Sequence, residues 1–291
     1  MIAGAIGRPR VLFFGMSCAG SEPPLRALMA ADVDLRAVVV PRGHAASPIG
    51  DLARATGVPI LEVAEARRAA TVAAIATHRP DIIAVACFPW RLSPALLAVP
   101  TFGAVNVHPS LLPAGRGPEP LFWTFRRGER RTGVTIHLLD DGFDTGPVVA
   151  QEAIDLPDDI RLPELEAQLM ERGGEVLVEV IHRLQRGEIH PVPQDDDQAT
   201  DAPTPSTADF AVPTNLPARW AYRFVRSVAP RGGPLELLVL ATGERYPLAD
   251  ALGYDASDTQ SEPVRNERNG VLRVRFQPGT ARLLVRDGDP R

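Results

Sequence analysis

The sequence predicts an α/β fold: a mostly parallel, Rossmann-like sheet with helices on both faces, followed by a small β-rich, OB-like unit. Three observations predict it. Continuous apolar runs recur through the first part of the chain, helical patterns separate them, and past about residue 206 short strand candidates with glycine-bearing turns take over. Strands that are apolar throughout, rather than alternating, belong to parallel sheets covered on both faces. The domain boundaries that follow are 1–190 for the α/β domain, 191–206 for a linker rich in Pro, Asp, Gln and Thr, and 207–291 for the β-rich domain.

Taken in order, residues 11–15 read as a buried strand and 22–31 as the helix after it. Residues 35–40 form a second strand and 47–56 a helix; 71–77 is helical, 82–86 is a third apolar run, and 104–107 a short strand. Two further strands, 133–139 and 148–154, bracket the loop Asp140-Asp141-Gly142-Phe143-Asp144-Thr145-Gly146. A long amphipathic helix covers 162–185 and is expected to break at Gly173-Gly174. Strands at 235–240, 271–276 and 282–285 supply the tail. In an open parallel sheet the ligand crevice lies beyond the carboxyl ends of the strands, which here means just after Phe14, Ala86 and Val107.

Composition narrows the chemistry. The chain has 291 residues, 45% of them hydrophobic, and a formal net charge of −5, the balance of a globular protein with a core. Its 31 basic side chains are all Arg, so neither a lysine Schiff base nor a Walker lysine is available. Cys18 and Cys87 are too few for a disulfide framework or a four-thiolate zinc site, and the histidines show no ligand spacing, so no metal is expected. Residues 1–10 lack the basic and apolar regions of a secretion signal, and the longest apolar run, 82–88, falls far short of the ~20 residues that span a bilayer. The expected setting is cytoplasmic, without a membrane, and the acidic balance makes a poor generic nucleic-acid binder.

The informative stretch is Asn106-Val107-His108-Pro109-Ser110-Leu111-Leu112-Pro113 with Arg116-Gly117 behind it. Asn106 and His108, two apart at a strand end, project from one side. An amide N–H donates to a developing oxyanion and an imidazole exchanges a proton with an attacking group, a pairing suited to acyl transfer. Asp144 is the natural third member, since a carboxylate near an imidazole fixes its tautomer and raises its pKa. Spacing alone leaves open that Asn106 caps a turn, that His108 is a hydrogen-bonded loop histidine and that the aspartates are turn residues. His137 alternates with Ile136 and Leu138 on a strand that lets it approach the site, with a surface or core role favoured; Cys18 reads as a small buried apolar residue.

Together these segments resemble the folate-dependent formyltransferase family. The Asn-x-His-x-Ser-Leu-Leu-Pro run at 106–113 and Gly133-Val134-Thr135-Ile136-His137 with Asp144-Thr145-Gly146-Pro147 carry the resemblance, which extends from about residue 11 to 187. More faintly, 217–226 and the tail are similar to the C-terminal domain of members that act on methionyl-tRNA or on amino sugars. The resemblance implies a formyl transfer from 10-formyltetrahydrofolate to a primary amine, with Asn106, His108 and Asp144 as the catalytic triad. It implies folate contacts at Trp90, Arg91 and Leu92, at Ser110, Leu111, Leu112 and Pro113, and at Asp140, Asp141, Gly142 and Phe143.

Two departures bear on the acceptor. The tRNA-specific branch carries a basic insertion where this chain has the short stretch 41–48 with one Arg, and from Ser206 on the tail holds 12 Arg against 10 acidic residues. Phosphate neutralisation dominates nucleic-acid affinity, so the sequence favours a small amine such as a nucleotide-linked amino sugar, with initiator methionyl-tRNA as the alternative acceptor. Pro118 stands where the family often has a small or basic residue. Two other classes remain: a 10-formyltetrahydrofolate hydrolase, and a non-catalytic folate-binding protein, against which the full triad argues.

Overall fold

A computed structural model describes residues 7–286. Most of the 1–10 segment read above for a secretion signal, and the last residues of the expected tail domain, lie outside the described residues. The chain divides into two compact units, one of Met1–Gly117, Gly133–Ile154 and Glu166–Asp201, the other of Pro118–Thr132, Asp155–Leu165 and Ala202–Arg291.

The first unit is built on a sheet of seven strands. In chain order its elements are β1 (Arg10–Phe14), α1 (Glu22–Ala30), β2 (Asp34–Pro41), α2 (Pro48–Thr56), β3 (Ile60–Val63), α3 (Ala69–Thr77), β4 (Ile82–Val85), α4 (Pro94–Leu97), β5 (Ala104–His108), β6 (Ala114–Arg116), then β7 (Arg131–Leu138), β8 (Val148–Asp155), α6 (Leu162–Gln185) and β9 (Thr200–Asp201); α5 (Pro120–Arg126), between β6 and β7 in the chain, belongs to the second unit. The strand order is β3-β2-β1-β4-β5-β7-β8. The pairs from β3 to β5 are parallel and β7 runs antiparallel to β5, so the expected mostly parallel sheet is present with one reversed neighbour. The order reverses between β1 and β4, the switch point that opens a crevice at the strand ends.

Local chemistry explains the elements. Val11 to Phe14 and Ile82 to Ala84 are fully buried, as continuous apolar strands must be when both faces are covered. Ser47 caps α2 by accepting from the Gly50 N–H at 3.4 Å, Pro48 opens that helix, and Gly57 closes it at φ 74°. The edge strand β3 is only four residues long and carries no apolar run that marks it in the sequence.

α6 does not break at Gly173-Gly174. A Cβ at Gly173 would lie 2.6 Å from Val107 Cγ1 and 2.9 Å from Val134 Cγ2, and one at Gly174 3.0 Å from the Pro24 Cα. The glycines let the helix lie close against β5, β7 and α1; they are packing residues, and the helix is continuous through them. The stretch 191–201 also carries structure of its own. Val192 pairs with Val148 and β9 runs parallel to β6, through polar groups that leave no periodicity to read in advance.

The second unit holds β10 (Ala211–Pro213), α7 (Ala218–Val228), β11 (Glu236–Leu238), β12 (Arg245–Asp255), β13 (Val264–Asn266), β14 (Val271–Arg275) and β15 (Thr280–Val285). They form a six-stranded sheet in the order β10-β11-β12-β15-β14-β13, antiparallel except for β10 with β11. α7 buries Ala221, Phe224, Val225 and Val228 and packs on β12 and β15. Among the described residues no helix is long and apolar enough to cross a membrane.

Candidate functional site

The antiparallel register of β5 with β7 makes the site. It sets Asn106 opposite His137 and His108 opposite Thr135, so residues from two distant sequence signatures face each other on adjacent strands. Asn106 Nδ2 lies 3.2 Å from His137 Nε2. His137 Nδ1 sits 2.9 Å from its neighbour's carbonyl, Leu138 O, and so carries the proton. Its Nε2 then accepts one N–H of the Asn106 amide, and the second N–H of that amide is left to donate elsewhere.

Asp144 enters from the loop after β7. Its Oδ2 lies 3.7 Å from His108 Nδ1 and its Oδ1 3.5 Å from His137 Nε2, so one carboxylate stands between two imidazoles. The Gly117 N–H donates to Oδ2 at 2.9 Å. Across the ring, His108 Nε2 donates to the Gly115 carbonyl at 2.8 Å, which leaves Nδ1 as the basic nitrogen and aims it at the carboxylate.

Burial pushes the His108 imidazole below its ordinary range; Asp144 and the Gly115 carbonyl pull it back without cancelling the shift. Asp144 raises the basicity of the imidazole, as expected, but desolvation prevails. The ring is consequently neutral at neutral pH and able to accept a proton. Burial pushes the Asp144 carboxyl up, yet His108 and His137 in their protonated forms, with the Gly117 N–H, outweigh it and hold the group below the usual carboxylate range; while the His108 ring is neutral, the donor to the carboxylate is the Gly117 N–H.

Beside this cluster is a cleft lined by Val85, Phe88, Trp90, Arg91, Leu92, Asn106, Leu139, Asp140, Gly142, Phe143 and Asp144. Phe88 packs edge-on against both Phe14 and Trp90, with ring centroids 5.2 and 5.4 Å apart, which fixes the aromatic wall. Arg91 donates to the Asp141 carbonyl and lies over the Phe143 ring, bridging to the 140–144 loop. Of the expected folate contacts, Trp90, Arg91, Leu92, Asp140, Gly142 and Phe143 therefore line one cleft with Asn106 and Asp144. Apolar walls with a few amide and carboxylate groups fit a flat, polar-edged ring such as a pterin.

Ser110, Leu111, Leu112, Pro113 and Asp141 do not line that cleft. The 110–113 segment is instead held from behind: Thr135 Oγ1 donates to the Ser110 carbonyl at 2.6 Å, and Gln151 Nε2 donates to the Leu112 carbonyl at 2.9 Å. The Asp141 side chain points to solvent, its carboxylate 3.9 Å from Arg67. His137 is a site residue that residue-by-residue reading ranked too low, favouring a surface or core role over an approach to the site. Strand alternation allowed that approach, but its pairing with Asn106 depends on a register between strands that no local pattern encodes. Cys18 also differs from its expected role as a buried apolar residue. It is partly exposed, and its hydrogen bond with the Cys87 thiol lowers its pKa to about 6. Among the described residues no group of His, Cys, Asp and Glu has the makings of a metal site.

A sequence profile of the formyl transferase family matches residues 36–181. A methionyl-tRNA formyltransferase of Roseiflexus sp. (strain RS-1) is 36% identical over 84% of this chain and 77% of its own length. The chain belongs to the formyl transferase family. Membership carries an enzyme class with it, the N-formyltransferases that draw their formyl group from 10-formyltetrahydrofolate. A second relative, the methionyl-tRNA formyltransferase of Synechococcus sp. (strain JA-3-3Ab), is 39% identical over 63% of this chain, which spans only 57% of that relative's length. Among solved structures, the sugar 3N-formyl transferase WlaRD superposes with a TM-score of 0.71 at 11% identity, covering 98% of this chain and all of that one. HypX from Aquifex aeolicus in complex with tetrahydrofolic acid gives 0.63 at 20% identity, covering 95% of this chain and 44% of the other. These two likenesses speak to the fold alone.

Proposed function

We propose that the chain formylates the amine of methionyl-initiator tRNA, with Asn106, His108 and Asp144 at the reacting centre. The observation that carries the chemistry is the Asp144 carboxylate set between the His108 and His137 imidazoles, beside a cleft with an aromatic wall and a free amide N–H. The acceptor rests on the two relatives described above, both methionyl-tRNA formyltransferases, which favours tRNA over the small amine that the sequence suggested.

Bound in the cleft, 10-formyltetrahydrofolate supplies a carbonyl carbon attached to N10 that a neutral amine attacks. The remaining steps belong to side chains. The free N–H of Asn106 donates to the carbonyl oxygen as negative charge grows on it. His108 Nδ1 takes the proton that the amine sheds, and Asp144 stabilises the resulting imidazolium. The same proton passes from His108 to N10 as the C–N10 bond breaks, leaving a formylated amine and tetrahydrofolate. His137 holds Asn106 in place by accepting its other N–H.

A small amine remains the second reading on one observation. The stretch 41–48 is short and tied down, with the Gly43 N–H donating to Glu62 Oε1 at 2.8 Å and Ser47 Oγ to the His44 carbonyl at 2.6 Å. It offers a tRNA a single Arg side chain. The deciding experiment follows consumption of 10-formyltetrahydrofolate with charged initiator tRNA, with nucleotide-linked amino sugars, and with no acceptor. Salt-sensitive turnover with the tRNA alone supports the proposal. Turnover with an amino sugar alone replaces the acceptor, and consumption with no amine present makes the protein a hydrolase.

A further inference from the structure

Asp144 sits at φ 55°, in the left-handed region that residues with a side chain rarely adopt. A turn of that kind persists only where its surroundings hold it. The group that holds it comes from far along the chain. Gln194 Nε2 donates to the Asp144 carbonyl at 2.8 Å and to the Gly146 carbonyl at 2.7 Å. On its other side, Gln194 Oε1 accepts from Arg116 Nε at 3.0 Å and Nη2 at 2.9 Å. Both N–H donors and both lone pairs of the amide are thus engaged. Turning it over would set its oxygen against two carbonyls and its nitrogen against a guanidinium, so its orientation is fixed.

Arg116 ends β6, the strand that holds the other half of the site. The Gly115 carbonyl in β6 accepts from His108 Nε2, and the next residue, Gly117, donates to Asp144 Oδ2. β6 is itself braced by β9, where Thr200 Oγ1 accepts from the Gly115 N–H at 2.9 Å. Gln194 therefore ties the backbone of Asp144 to the strand that fixes the His108 ring and the Asp144 carboxylate.

We infer that Gln194 is a positioning residue for formyl transfer, setting the spacing of Asp144 and His108 through the Asp144 turn and Arg116 without touching either substrate. The inference rests on the roles proposed above for Asp144 and His108. Misplacing a catalytic group by about 1 Å costs on the order of 10²-fold.

The test compares wild type with Gln194→Met, Asp144→Asn and the double variant, measuring kcat and the KM for 10-formyltetrahydrofolate separately. Gln194→Met keeps the length and volume of the side chain. Gln194→Asn is the second variant should Met not fold, since it keeps the amide but is one methylene too short to reach both carbonyls. Gln198→Ala, which loses only a bond to Asp195 in the same segment, is the folding control. Gln194→Met is expected to lower kcat about 10- to 100-fold with KM within about twofold, and to add nothing further in the Asp144→Asn background. Unchanged kcat in a folded Gln194 variant, an equal loss in Gln198→Ala, or a full additional loss in the double variant overturns the positioning role and leaves Asp144 as assigned. Unchanged kcat in Asp144→Asn alone overturns the role of Asp144, and the positioning claim with it.

Discussion

Two partly buried aspartates, one in each unit, are handled in opposite ways. In the second unit Asp158 takes two 2.8 Å bonds from Arg219 and one from the Tyr254 hydroxyl, with Arg223 Nε at 3.3 Å. Its charge is matched by guanidiniums, which stay protonated at any working pH. In the first unit Asp144 faces two imidazoles and a backbone N–H. Its charge is matched in full only when an imidazole takes up a proton. A carboxylate paired with Arg is a fixed strut; one paired with His stabilises a charge that comes and goes, which is what proton transfer requires.

The largest effects should fall on opposite sides of that contrast. Asp144→Asn is expected to lower kcat by about 10²–10⁴-fold while the protein stays folded, because it removes the partner of the His108 imidazolium. Asp158→Asn should leave kcat within about twofold but cost about 1–3 kcal/mol of stability, because the buried Arg223 guanidinium loses its counter-charge. Turnover and denaturant melts of both variants check this; a dead Asp158→Asn or an active Asp144→Asn breaks the comparison. Next in size is Asn106→Ala, which should lower kcat by about 10²–10³-fold with folate binding retained, the signature of a lost oxyanion donor. Equal weakening of folate binding would move Asn106 from the chemistry to the cleft wall.

The parallel half of the sheet was legible because its strands carry apolar runs, and the convergence of Asn106, His108 and Asp144 because two short signatures contain them. Less was legible where long-range geometry decides. The pairing of Asn106 with His137 follows from strand register, and the unbroken α6 from how closely Val107 and Val134 approach Gly173. β9 and its neighbours are held by polar groups such as Gln194 and Thr200, which look like linker composition until their partners are known. α7 is a different case: Arg219, Arg223 and Arg226 recur at i, i+4 and i+7, the spacing of one helix face, so this helix carried a local signal that the reading of the tail as strands passed over.

The glycines offer a test of intermediate size. Gly173→Ala forces a methyl into Val107, which stands between Asn106 and His108 on β5, and into Val134 on β7, and should cost about 1–3 kcal/mol by overpacking. Gly253→Ala, in β12, meets nothing within 4 Å and should leave stability within about 0.5 kcal/mol of wild type. Equal melts for the two would mean that α6 can shift away from the sheet without cost.

The smallest expected effect is the dependence of stability on pH, where the two carboxylate environments separate again. The His108 pKa is lowered by folding, so its contribution is present above the unfolded imidazole value of about 6.5 and is lost as pH falls toward the folded value. Asp158 is also lowered, but from the carboxylate range, so its contribution is lost only as pH falls below about 4. Between pH 7.5 and 5.5 the melting temperature of wild type should therefore drop through His108 while Asp158 stays silent, a change of roughly 1–3 °C for a chain of this size. His108→Asn should flatten that slope, and Asp158→Asn should leave it as steep as in wild type. The decisive quantity is the difference between the two slopes. Identical slopes in wild type and His108→Asn would mean that the imidazole is as easily protonated in the folded protein as in the unfolded chain, and the neutral base at the centre of the mechanism would lose its physical basis.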